Sequence, residues 1–160
     1  MTTGTQPYLS GTVKRLIEKG VRVISPESVY VDPEIITERI SGSGVTIHPG
    51  CRLVGAATLI SDGVELGREA PVTLIESYLG PQVKLNGGSF ERCVFLRGAS
   101  MGSGAHVRQG TIFEEYASGA HCVGVKQTIL FPHVTLGSLI NFCDCLMAGG
   151  TGPKNHSEVG

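Results

Sequence analysis

Arg108 and Lys126 are the side chains whose types and spacing point most directly to chemistry. The interval from 108 to 126 is three steps of six, and each cation follows an aliphatic residue, Val107 and Val125. In a chain that coils with that period they would stack on one face in adjacent turns. Like charges placed directly opposite each other repel. An anion held between them removes the repulsion, and a phosphate suits an arginine and a lysine together. The plainer alternative is two solvated cations splayed apart. The candidate bases are His48, His106, His121, His133 and His156. His48 and His106 occupy turn positions and read as structural. His121 lies a coil earlier than His133, which sits beside Pro132 at a corner, and His156 is close to the end. Exposed corner positions without a role are the simpler reading of these three. Cys143-Asp144-Cys145 puts two thiols on one side of a strand. They lack partners for a metal, so the pair reads as packing and no metal is expected.

The elements that must position these residues follow a period of six. An aliphatic residue is followed by three turn-like residues, then by a small or apolar one. Ile47, Leu53, Ile60, Leu66 and Leu79 open such hexads. Phe95, Met101, Val107 and Phe113 continue at steps of six, with Ala99, Ala105, Thr111 and Ala117 in the small slot. Leu130, Leu136 and Phe142 close the series of twelve hexads. Repeats of this length predict a parallel β-helix, a triangular prism with three hexads to each coil. Coils then stack as neighbouring strands about 4.8 Å apart, with glycine and proline turning the corners. Stretches 71–78, 86–94 and 118–124 break the pattern and read as loops or distorted corners. Ahead of the repeats, Val13, Leu16 and Ile17 recur at helical spacing and Gly20 stands where a C-cap belongs, predicting a short helix over 11–20. The domain reading is an N-terminal arm and helix over 1–24 and a β-helix over 25–160.

Composition agrees. Of 160 residues 23 are glycine and only 17% are charged, which suits many tight turns and excludes a disordered chain. A net charge of −1 offers no bulk attraction to nucleic acid or to an anionic membrane, and no apolar run approaches a membrane span. Five cysteines without a CxxC and a start without signal-like character predict reduced thiols and a cytoplasmic protein.

Specific anchors then point to a family. Gly20-Val21 ends the helix, Ser25-Pro26-Glu27-Ser28 follows, and Tyr30-Val31-Asp32 opens the first rung. Further on come Arg108-Gln-Gly110-Thr111 and Lys126-Gln-Thr128-Ile-Leu130. In order and spacing these resemble the acetyltransferase half of the bifunctional N-acetylglucosamine-1-phosphate uridyltransferase/glucosamine-1-phosphate acetyltransferase, also described as UDP-N-acetylglucosamine pyrophosphorylase-related. The resemblance implies an all-β, left-handed parallel β-helix of hexapeptide repeats with a short N-terminal helix, an exception to the usual crossover hand. It also implies a homotrimer. In that family the Arg and Lys hold the sugar phosphate, so Arg108 and Lys126 are expected to bind a sugar phosphate or nucleotide sugar.

The match fails at the catalytic step. The family's base is a histidine opening an H-L-x-Y-x-G-D element twelve positions after the lysine. Here that element reads Ser138-Leu-Ile-Asn141-Phe-Cys-Asp144. Ser138, Asn141 and Asp144 are expected to line the pocket, but an isolated serine is no base at neutral pH, and His133 is one substitute. A glutamate normally stands two positions before the lysine; here it is Gly124. Acetyl-CoA is the donor implied by resemblance, although the chain stops within what reads as a family rung, leaving the β-helix incomplete at its C-terminus. The L-x-x-G-x-G-T-x-M loop of the uridyltransferase half is absent. The five histidines also lack the spacing of a zinc pair found in hexapeptide-repeat carbonic anhydrases. A sugar-phosphate-binding, transferase-like protein related to UDP-N-acetylglucosamine biosynthesis is therefore the first expectation. A non-catalytic β-helix, acting as a regulatory binder or trimerisation scaffold, is the alternative.

Overall fold

The computed structural model describes residues 8–160. Helix α1, Gly11–Lys19, starts where Ser10 Oγ accepts from the Val13 amide at 3.2 Å. It ends at Gly20, whose φ of 113° lets the chain reverse. Gly20 also packs against Gly42, whose carbonyl oxygen would lie 2.6 Å from an added Cβ. Val13 and Leu16 of α1 are buried, whereas Ile17, expected on the same apolar face, is exposed. Lys19 tethers the helix to the first coil, donating to the carbonyls of Thr37 and Ile40 at 2.9 and 2.6 Å.

The rest is a parallel β-solenoid. Three sheets of eight, seven and six short strands form the faces of a prism. The first face runs from Arg22–Val23 to Glu158–Val159, the second from Tyr30–Val31 to Asn141–Cys143, and the third from Leu59–Ile60 to Leu146–Met147. All pairings within these sheets are parallel between successive coils. Inward positions form one continuous core: Ile47, Leu66, Leu85 and Leu136 from the first face, Leu53, Leu74, Phe90 and Val125 from the second, Ile60, Leu79, Phe95 and Leu130 from the third. Phe95 and Phe113 stack with ring centroids 4.6 Å apart, and Phe90 meets Phe95 edge-on at 5.7 Å.

Three sequence expectations are corrected. Stretches 71–78, 86–94 and 118–124 carry strands, Val72–Ile75, Gly88–Glu91 and Ser118–Gly119, paired like the rest. They escape the hexad pattern because coil length is not uniform. In-register partners Cys93 and Thr111 keep the three-hexad spacing. Val72 and Gly88 fall short of it, as do Ile112 and Ile129, whereas Arg52 and Thr73 exceed it. His106 lies inside a strand, Ala105–Val107, rather than in a turn. Cys143 and Cys145 do not share a side of one strand, because Asp144 between them takes a corner conformation with φ 56°. Corners also use residues other than glycine: Gln82, Tyr116 and His133 between the third and first faces, Gln127 and Asp144 between the second and third, Cys122 and Leu139 between the first and second, all with positive φ. Each such corner is held by an amide bonded to the coil before it, as with Gln127 to Gln109 O at 3.1 Å and His133 to Glu115 O at 3.0 Å. That support offsets a backbone cost of about 1–3 kcal/mol.

Candidate functional site

The expected cation pair is brought together on the second face. Val107 and Val125 are register partners and point inward. Alternation therefore turns Arg108 and Lys126 outward, one coil apart, and the Arg108 amide donates to Val125 O at 2.8 Å. Cys143 continues the column, in register with Lys126. The Arg108 guanidinium reaches across the Lys126 coil to Cys143 Sγ at 3.6 Å. Glu91 stands in the same column one coil before Arg108, yet among the described residues the only ion pairs are His48–Glu65 and His156–Glu158. Both cations are thus without a carboxylate counter-charge.

Asn141 stands in the neighbouring outward column, in register with Gly124. Its side chain lies over Gly124, where any Cβ would collide with Asn141 Oδ1. The missing side chain at 124 therefore makes room for the amide. With a rise of about 3.3 Å per residue, the Asn141 column runs about 7 Å from the Arg108–Lys126 column. Those two columns form one polar, outward surface.

The other expected residues fall at corners. Ser138 precedes the second-face strand, where the first face turns into the second, and bonds to His121 Nδ1 at 3.0 Å. Asp144 follows the same strand at its far end, its amide bonded to Lys126 O at 3.1 Å. Ser138 and Asp144 therefore flank the surface from opposite sides. His133 is on the corner between the third and first faces, opposite the second face, with its ring stacked on Tyr116 at 5.3 Å. The signal for the Ser138–His121 pairing is present in the sequence, because the two share the numerical offset of Gly124 and Asn141. A coil fixed at three hexads hides that offset.

Grooves of about 360 and 310 Å3 lie away from these residues, one beside Asp62, Gln82 and Arg97, the other under Tyr8 and Tyr30 at the N-terminal end of the second face. Among the described residues no group of three His, Cys, Asp or Glu is placed to hold a metal ion. No helix among them is long and apolar enough to cross a membrane. Two thiols are deep in the core: burial pushes Cys93 up to about 11 and raises Cys51 as well.

A second surface distinguishes the third face. Its outward column reads Leu59, Tyr78, Val94, Ile112, Ile129 and Leu146 in unbroken register. Tyr78 is 38% exposed and Leu146 66%.

No family model matches the chain. It is 33% identical over 134 residues to the Bifunctional protein GlmU of Thermus thermophilus, covering 83% of this chain and 28% of that protein. It is 28% identical over 157 residues to the Bifunctional protein GlmU of Pelobacter propionicus, covering 90% of this chain and 33% of that one. The chain thus spans no more than about a third of the length of these curated relatives. Over most of its own length it is a homologue of proteins so named, folded as a parallel β-solenoid of hexapeptide repeats.

Proposed function

We propose that this protein is a transferase-like β-helix related to UDP-N-acetylglucosamine biosynthesis, which holds a sugar phosphate or nucleotide sugar on its second face. Arg108 and Lys126 take the phosphate, Asn141 lies beside them, and Ser138 and Asp144 bound the surface. The observation that carries this reading is the unpaired, in-register cation column beside an amide. Acetyl-CoA is the acyl donor that the GlmU relatives point to. The coil is taken as left-handed and the N-terminal arm over 1–24 as an appendage to it, both by resemblance. The five free thiols favour a cytoplasmic setting.

The test is calorimetry with glucosamine 1-phosphate and with UDP-N-acetylglucosamine on wild type and Arg108→Ala. Charge-assisted hydrogen bonds are worth about 1.5–3 kcal/mol, so affinity should fall at least about tenfold in the variant. Equal heats from the two proteins sink the phosphate site.

Self-association as a homotrimer is part of the proposal, and the apolar column of the third face supports it. A contiguous exposed apolar patch marks an interaction surface, and here the column runs over six strands without a polar break. That same column favours the second reading, a non-catalytic scaffold that assembles through the third face. Sugar-phosphate binding without acetyl transfer would support the scaffold reading.

A further inference from the structure

The imidazole of His121 and the hydroxyl of Ser138 form a hydrogen-bonded pair on the outside of the solenoid, Nδ1 to Oγ at 3.0 Å. They come from adjacent coils at equivalent positions. His121 stands three positions before Gly124 and Ser138 three before Asn141, and Gly124 and Asn141 are register partners. The backbone fixes the alignment, since the Leu139 amide donates to His121 O at 3.1 Å and the Cys122 amide to Ser103 O at 2.9 Å. The pair therefore occupies the edge of the face that carries Asn141, Lys126 and Arg108. His121 is exposed and makes no ion pair with a carboxylate among the described residues.

We infer that His121 is the general base of this face and that Ser138 positions it. The inference rests on the proposed sugar-phosphate site. A neutral imidazole has one donor and one acceptor nitrogen. With Nδ1–H donating to Ser138 Oγ, Nε2 keeps a free lone pair. The serine oxygen accepts that bond whether the ring is neutral or charged, so the pair survives a full proton cycle. For this base to act, an amino sugar held by its phosphate at Arg108 and Lys126 must present its nitrogen at this corner. In acyl transfer from a thioester, a bond forms between that nitrogen and the thioester carbonyl carbon. The nitrogen's proton passes to Nε2, the carbon–sulfur bond breaks, and the departing thiolate takes the proton back from the imidazolium. The base is thus displaced by one coil from the position that Ser138 holds.

Two measurements on the full chain test this. In 15N-labelled protein, with the ring signals of His121 assigned by their loss in His121→Gln, glucosamine 1-phosphate should shift those signals. The shift should saturate with the calorimetric affinity and vanish in Arg108→Ala. Heat of binding without movement of the His121 signals overturns the inference and leaves the phosphate site standing; no heat at all removes both. In thiol-release assays with acetyl-CoA, His121→Ala should lower kcat about a hundredfold or more, a common worth of a general base, with sugar-phosphate affinity unchanged. Ser138→Ala should lower kcat by a larger factor than it raises KM, and Ser138→Thr, which keeps the hydroxyl, should retain the rate. Combining Ser138→His with His121→Ala should recover part of the rate. Equal rates for wild type and His121→Ala, or no transfer by wild type, overturn the base assignment.

Discussion

The second and third faces are built from the same short strands, the same stacking of coils and the same inward aliphatic ladder, yet their outward columns part company after Val54 and Ile75, the two aliphatic residues that begin the second-face column. Down one outward column of the second face stand Glu91, Arg108, Lys126 and Cys143; down the third face stand Val94, Ile112, Ile129 and Leu146. The backbone is indifferent to this choice, because outward side chains touch only their neighbours on adjacent coils. What differs is therefore what each face meets outside the chain. Stacked charges on the second face cost free energy that an anion relieves. Stacked aliphatics on the third face cost free energy that another protein surface relieves, at about 25 cal/mol per Å2 removed from water. On the proposed function, one prism separates a ligand face from an assembly face by a single corner.

The largest effect should come from reversing the third face. Ile112→Lys combined with Ile129→Lys places two cations in register on adjacent coils in the middle of the apolar column. Buried in an interface without partners, such charges cost several kcal/mol, so sedimentation should show the assembly falling to single chains. Circular dichroism should be unchanged because both positions point outward. Arg108→Ala should behave oppositely, losing sugar-phosphate affinity and keeping the assembly. If the third-face variant stays assembled, the division of labour between faces is wrong.

How much of this was legible in the sequence depends on how local each signal was. The aliphatic ladder was legible because the central inward positions of most strands are filled by aliphatic or aromatic side chains. The cation column was legible because the Arg108 and Lys126 coil happens to keep three full hexads. The apolar outward column, which follows from alternation, and the Ser138–His121 pair, which follows from the offset of its coil, were not, because successive coils differ in length. The coil joining Val72 to Gly88 is short and the one joining Arg52 to Thr73 is long. Register accumulates those differences, and only backbone pairing reveals them. Non-glycine corners were illegible for a related reason: Tyr116, Gln127 and Leu139 are held in positive φ by amide bonds to the previous coil, not by their own preferences.

The next effect separates the inside of the third face from its outside. Cys93 is buried there and its thiol is pushed up to about 11 by burial, with Ser77 pulling the other way through a 3.4 Å contact. In the unfolded chain the same thiol ionises near 9. Between those pH values the unfolded chain gives up its proton and the folded chain keeps it. Stability is therefore complete below pH 9 and is lost as pH rises toward 11, by about 2–3 kcal/mol at about 1.36 kcal/mol per pKa unit. Urea midpoints taken across that window should fall in wild type and fall less in Cys93→Ala, whose absolute stability is lower. Parallel curves for the two proteins would show that Cys93 is not the group responsible.

The smallest effect concerns the column of small polar residues beside that cysteine. Ser77 Oγ donates to Ile75 O at 2.8 Å and Thr128 Oγ1 to Lys126 O at 2.9 Å, each satisfying a corner carbonyl. Thr111, in register with Cys93, is equally buried, but its Oγ1 has no partner. A hydroxyl buried without a bond costs free energy, whereas a bonded one contributes about 1 kcal/mol. Thr111→Val removes the hydroxyl and keeps the shape, so it should be neutral or stabilise by up to about 1 kcal/mol. Thr128→Val should destabilise by about the same amount, because it takes one of two donors from the Lys126 carbonyl and leaves the Cys145 amide without the Thr128 Oγ1 acceptor it reaches at 3.4 Å. Denaturant midpoints moving in the same direction for both variants would break the distinction. Opposite signs would show that the hydroxyl supports the corner at Thr128 and does nothing for the one at Thr111.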